Sequence, residues 1–169
     1  MEQIKIRRVQ KEDLPEVARI RVEGWKTAYR GIIDDDFLAC MSVEKDRQKR
    51  EKDYLLNGFL VAKIDEKVVG FCRYVADNQF SPEREDIDCE ITALYVAPEY
   101  KYNGIGTALF SAVKKEFQEQ HKTKMIIWCL KENLSAHQFY TKMGGKKQGE
   151  KQSQIGDKTY SEICFIYEL

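Results

Sequence analysis

Two glycines, Gly104 and Gly106, follow an alternating apolar stretch that ends at Val96 and is stopped by Pro98. From the same point Ile105, Leu109, Val113 and Phe117 recur at helical spacing, so a helix begins on a glycine turn. The first amides of a helix lack intrahelical acceptors and its dipole is positive there. A pyrophosphate can therefore rest on backbone N–H groups where glycines keep side chains away. A lone G-x-G pair is weak, because turns and helix starts use glycine routinely. Further along, Asn133, Ala136 and Tyr140 share one helical face, with Phe139 and Met143 on a neighbouring apolar stripe. One face can meet ligand while the other packs, although taken singly Asn133 reads as an N-cap and Tyr140 as a core tyrosine. Cys40, Cys72, Cys89, Cys129 and Cys164 show no C-x-x-C spacing and read as reduced core thiols. No metal site is expected, since His121 and His137 lie far from any cysteine pair.

Read whole, the run from Glu90 through Leu94-Tyr95-Val96-Ala97-Pro98 to Lys101-Tyr102-Asn103-Gly104-Ile105-Gly106 resembles the acetyl-CoA signature of the GNAT superfamily of N-acetyltransferases. That signature is Gln/Arg-x-x-Gly-x-Gly/Ala after a strand ending in Leu-Tyr-Val-x-Pro. Asn133 to Tyr140 is similar to the family's Asn-x-x-Ala-x-x-Phe-Tyr segment, and the two signatures stand in the right order. Lys101 departs from the pattern: it keeps the charge but lacks the planar fork of arginine. The resemblance implies acetyl-CoA as cosubstrate. It would be held by Leu94, Tyr95 and Val96 along the pantetheine and thioester, by Lys101, Tyr102, Asn103, Gly104, Ile105, Gly106 and Thr107 at the pyrophosphate, and by Asn133 and Tyr140 on the following helix.

Acetyl transfer needs an amine stripped of its proton, a polarised thioester carbonyl and a proton for the departing thiolate. Glu90 coincides with the general-base glutamate of some family members. A glutamate near pKa 4.3 is a poor base for an amine near 10, so it must be desolvated, sit near Asp88 or act through water. Strict alternation would put its side chain on one face with Asp88, Thr92, Leu94 and Val96. The structural alternative is a strand-end glutamate paired with Arg84 or a lysine, or one that only orients substrate. Tyr140 is the matching general acid, because a phenol near pKa 10 can protonate a thiolate whose thiol is near 8.5. A cysteine nucleophile is the rival mechanism, disfavoured because Cys89 points opposite Glu90 and Cys129 has no neighbouring histidine. Trp25 and Tyr29 open a segment, through Asp34 to Asp36, that resembles the family's substrate-side helix and loop. They would wall an amine pocket, or else pack on the sheet. Asp34 to Asp36 with Glu83, Glu85, Asp86 and Asp88 could draw a cationic amine, or simply be solvated.

The elements that must position these groups follow from periodicity. A first strand carries Ile4, Ile6 and Val9, and a helix opens at Asp13-Leu14-Pro15 and carries Leu14, Val17, Ala18, Ile20 and Trp25. The pattern breaks between Gly24 and Ile33. Ser42 with Glu44 caps a charged helix through Lys52, and 58–64 and 68–75 pair as a hairpin. A polar loop spans Asp77 to Asp86. The Glu90 strand, a helix from Gly104 to about Gln120, the Met125 strand, the Asn133 helix and two closing strands turning at Ile155-Gly156-Asp157 complete the order βααβββαβαββ. This is a mixed, layered α/β arrangement. It agrees with the GNAT fold, a mixed sheet flanked by helices, and the resemblance implies that the Glu90 and Met125 strands splay to admit the pantetheine arm.

At 169 residues the chain suits one domain, 1–169, around a single core. Twenty-eight basic and 28 acidic side chains cancel, so no basic footprint for nucleic acid and no polybasic membrane surface is expected. The N-terminus lacks the apolar core of a signal peptide and no segment reaches spanning length, so a cytoplasmic protein is expected. A small-molecule amine is the expected acceptor. Acetylation of a protein N-terminus or lysine, which needs the hairpin around Gly156 to leave an open groove, and a non-catalytic acyl-CoA sensor remain alternatives. A homodimer built on the last strands would suit the family.

Overall fold

A computed structural model describes residues 3–169. Seven strands form one mixed sheet in the order β1-β2-β3-β4-β5-β7-β6. They are β1 (Ile4–Arg8), β2 (Gly58–Ile64), β3 (Lys67–Val75), β4 (Cys89–Val96), β5 (Lys124–Leu130), β6 (Lys146–Ile155) and β7 (Lys158–Glu168). The helices are α1 (Leu14–Ala28), α2 (Asp35–Cys40), α3 (Val43–Asp53), α4 (Ile105–Glu119) and α5 (Leu134–Lys142). Met1 and Glu2 lie outside the described residues.

Period-two alternation sorts the strand side chains between two layers. Leu60, Ala62, Cys72, Cys89 and Ile91 pack under Ile105, Leu109, Val113 and Phe117 of α4. Phe59, Val61, Val68 and Phe71 face Leu14, Val17 and Ile20 of α1. Over β5 and β7 the α1 layer gives out, and Ile87, from the loop between β3 and β4, covers Ile126, Cys164 and Ile166 instead. That loop therefore does the work of a missing helix and is held against the sheet where the site lies.

Three expectations need correction, the first being Cys40, read with the other cysteines as a core thiol but exposed at the end of α2. α1 continues through Gly24 to Ala28, because Trp25 and Tyr29 beyond it pack with Phe37 and Leu38, which outweighs the roughly 1 kcal/mol that an interior glycine costs a helix. α2, absent from the expected order, forms a single short turn and a half, capped by Asp34 Oδ2 accepting from Phe37 N at 3.3 Å.

Every strand contact is antiparallel except β4 against β5. That pairing covers only Cys89↔Met125, Glu90↔Ile126 and Ile91↔Ile127. From Thr92 onward the β5-facing edge of β4 has no strand partner, so the splay implied by the resemblance is present. At the same point β3 pairs Arg73 with Ala93 and Tyr74 with Ile91, leaving Thr92 as a bulge. The extra residue reverses the alternation.

Candidate active site

The bulge decides what Glu90 faces. Leu94 and Val96 join Cys89 and Ile91 on the α4 side, whereas Ala93 and Tyr95 lie on the α1 side. Glu90 therefore shares its face with Ala93 and Tyr95 and not, as strict alternation required, with Leu94 and Val96. It lines a cavity of about 540 Å³ together with Asp53, Leu56, Arg73, Phe80, Trp128 and others.

Glu90 is only 5 % exposed. Ser81 Oγ donates to Glu90 Oε2 at 3.0 Å, and Trp128 Nε1 donates to Ser81 Oγ at 3.0 Å. An indole is a donor only, so Ser81 must accept from Trp128 and its one proton is free for the carboxylate. Burial pushes Glu90 up to about 7; Ser81 and Lys151 pull it down, and Glu83 and Glu162 push it further up. Asp88 is not the cause. Its carboxylate accepts from Thr123 N, Thr123 Oγ1 and Lys124 N at 2.9, 3.2 and 3.0 Å, and these bonds hold it below its ordinary value against the cost of burial. Nor is Glu90 paired with Arg84, which grips Asp86 at 3.0 and 3.1 Å.

Tyr140 belongs to the opposite layer, packed against Phe139 and Phe165. Burial raises its phenol well above the ordinary value, with further contributions from Cys129 and Tyr95. Tyr95 stands on the other face of the sheet, across the gap between β4 and β5. Trp25 Nε1 donates to Tyr95 Oη at 2.7 Å, and Tyr29, edge-on to Trp25 at 5.0 Å, is desolvated beside Tyr95. Four aromatic side chains thus gather at the split. Trp25 and Tyr29 do not line the Glu90 cavity, and no hydrogen bond joins Glu90 to Tyr140.

At the far end of β4, the chain turns through Lys101 to Gly106 into α4. Tyr102 and Gly104 both take left-handed backbone, at φ 65° and 78°. Asn103 Nδ2 donates to the carbonyls of Tyr100 and Lys101 at 3.3 Å and braces the turn. Among the described residues, the backbone N–H groups of Tyr102 to Thr107 find no acceptor, and Gly104 caps α4 with no side chain. Gly104 answers to its dihedral. Gly106 does not: a Cβ there would meet Phe139 at an ordinary 3.4 Å. Lys101 is exposed. Asn133 Oδ1 accepts from Ala136 N at 3.2 Å, so its oxygen serves as the N-cap of α5.

The acetyltransferase (GNAT) family model matches residues 24–145, which include both the glycine turn and the Asn133 helix. An N-acetyltransferase of Bacillus subtilis, YuaI, is 30 % identical over 163 residues, covering 95 % of this chain and 90 % of that protein. The chain belongs to the GNAT family and is an N-acetyltransferase. The spermidine N(1)-acetyltransferase of Thermoplasma acidophilum is 26 % identical, covering 85 % of this chain and 88 % of that one. The fold is likewise that of the PaiA N-acetyltransferase of Thermoplasma acidophilum, solved with coenzyme A, at TM-score 0.72 and 24 % identity over 98 % of this chain and 99 % of that one.

Several features of this GNAT site carry no motif. Arg73, Lys151 and Glu162 reach the cavity from strands whose patterns only mark burial, and Ser81 backs Glu90 from a polar loop. Of the seven acidic residues expected to draw a cation, three are engaged: Asp34 with Lys158 at 2.6 Å, Asp86 with Arg84, and Asp88 with the backbone. Burial pushes the Cys72 and Cys89 thiols up and Cys129 up to about 12, so none is poised as a nucleophile. Among the described residues, no group of three or more His, Cys, Asp and Glu side chains is placed to hold a metal.

Proposed function

We propose that this GNAT enzyme transfers acetyl from acetyl-CoA directly to a primary amine of a small molecule, with Glu90 as general base and Tyr140 as general acid. The observation that carries the reading is a buried carboxylate at about 7 on the floor of a cavity beside the split. A base near the working pH is half ionised when it is needed and strong enough to accept the ammonium proton, directly or through water. Pyrophosphate would be received by the amides of Tyr102 to Thr107, with Lys101 as a point charge. The pantetheine would run along the open edge from Leu94 to Val96, whose amides polarise the thioester oxygen. Asn133 Nδ2, free while its oxygen caps α5, and the Tyr140 hydroxyl would meet it from α5. Trp25 and Tyr29, which lie with Tyr95 at the split and outside the Glu90 cavity, would flank the acceptor only where it meets the thioester.

A phenol raised by burial holds its proton until a stronger base arrives. The same surroundings raise a thiol, as Cys129 shows, so thiolate and phenol rise together and transfer stays feasible.

A small acceptor is favoured over a peptide because the β6–β7 hairpin closes on the α1–α2 loop. Lys158 pairs with Asp34 at 2.6 Å, Tyr160 Oη accepts from Asp34 N at 2.9 Å, and Phe37 fills the space over Gly156, where a Cβ would come within 2.8 Å. Cytoplasmic residence and a homodimer belong to the same reading; β6, at the sheet edge, is the strand such a dimer would meet. No helix among the described residues is long and apolar enough to cross a membrane. Thiol release from acetyl-CoA with small primary amines, run on the wild type and Glu90→Gln, tests the assignment. Turnover should fall by about 100-fold in the variant with acetyl-CoA affinity unchanged; equal rates would remove Glu90 from the mechanism.

A further inference from the structure

Around the Glu90 cavity the charges are unevenly matched. Arg21 holds Asp46 at 2.8 Å, with Arg50 more loosely at 3.4 Å, which leaves Asp53 for Arg73. That last pairing is slack. Arg73 Nη1 reaches Asp53 Oδ1 at 3.4 Å and Nη2 reaches the Asp53 carbonyl at 3.4 Å, both longer than the roughly 2.7–3.2 Å of a well-formed N–H···O bond. Yet the Arg73 side chain is only 12 % exposed, lying over the Phe59 ring. Burial, with Arg50 adding to it, lowers its pKa despite the opposing pull of Asp53. A guanidinium taken out of water with its forked donors barely used is incompletely compensated.

Arg73 and Glu90 line the same cavity. Arg73 lies opposite Ala93 and Glu90 opposite Val75, so they are diagonal neighbours on one face, on the order of 7–8 Å apart at the backbone. The facing wall carries a second cation, Lys151, with its ammonium 4.2 Å from the Trp128 ring centroid and 3.9 Å from Glu162. The lining thus sets two cations, Arg73 and Lys151, among Asp53, Glu162 and Glu90, so a polyamine entering here would meet a cation on either side of Glu90. Leu56 and Phe80, 74 % and 52 % exposed, add apolar surface to the cavity lining.

The geometry points to an acceptor that carries a carboxylate beside its reacting amine, an amino-acid-like molecule with an apolar side chain. Its amine meets Glu90, its carboxylate completes the fork of Arg73 as a charge-assisted pair, and its side chain covers Leu56 and Phe80. The inference rests on the small-amine reading above and narrows it.

Thiol release from acetyl-CoA is compared for free amino acids with apolar side chains, their methyl esters, the matching decarboxylated amines, and spermidine. The free acid should exceed its ester and its decarboxylated amine in kcat/KM by about tenfold or more, as expected when a buried charged donor is left unpaired. Arg73→Met should raise KM for the acid by a similar factor and leave the ester within about twofold. The wild-type comparison stands whether or not the variant folds. Equal use of acid and ester, preference for spermidine, or acetyl-CoA binding with no acid turned over would each overturn the inference while the acetyltransferase reading stands. Failure of acetyl-CoA to bind by calorimetry would remove that reading and this one together.

Discussion

Glu90 is held where a carboxylate is least comfortable, and its consequences can be measured apart from catalysis. Its ordinary value of 4.5 rises to about 7 in the fold, so the folded chain binds its proton more tightly than the unfolded chain does. The sign follows from linkage. Glu90 costs nothing below the unfolded value, and stability falls as pH rises from 4.5 toward 7. Glu90→Gln, which cannot ionise, should be more stable than wild type near pH 8 by up to about 3 kcal/mol and indistinguishable near pH 4, as read by urea denaturation. Ser81→Ala removes a donor that pulls Glu90 down, so the rise of kcat/KM with pH should move to higher pH; an unmoved profile would make Ser81 merely structural. Tyr140→Phe keeps the ring packing and loses only the hydroxyl proposed as the acid. It should lower kcat by about tenfold or more with little change in acetyl-CoA KM. Glu90 and Tyr140 could be singled out in the sequence because they stand inside extended signatures. Ser81 could not, since a serine in a polar loop has no pattern of its own.

At the level of elements, the two glycines of the α4 turn separate a requirement of the chain from one of the ligand. Gly104 sits at φ 78°, so Gly104→Ala should cost about 1 kcal/mol of stability as well as weakening acetyl-CoA. Gly106 has room for a methyl group and lies in a helix, so Gly106→Ala should keep or raise the melting temperature. If Gly106 keeps the approach to pyrophosphate clear, the same variant should weaken acetyl-CoA by about tenfold in calorimetry. Most elements were legible because their periods are long and clean, as in Ile105 to Phe117 or the hairpin turning at Asp65. α2 was not, since six residues are too few to show a helical period. The bulge at Thr92 was hidden for a different reason: Ile91, Ala93 and Tyr95 alternate as well on paper with it as without it, and only the pairing of β3 reveals the shift.

Across the molecule, one strand pair that parts after Ile91 joins the two helical layers. Glu90 and Tyr95 come from one face and Tyr140 from the other, so neither layer alone contains the proposed chemistry. The order of strands and helices could be read in advance, and with the family resemblance so could the splay. What could not be read is how the last hairpin meets the α1–α2 loop, because Lys158, Tyr160 and Asp34 are far apart in sequence and each looks like an ordinary surface residue. In the proposed reading, that contact favours a small acceptor over a peptide. The most direct measurement is a one-pot competition, in which the enzyme and acetyl-CoA meet an equimolar mixture of small primary amines and short peptides and the acetylated products are resolved by mass spectrometry. Small amines should take nearly all of the label. Acetylated peptides dominating the mixture would contradict the account.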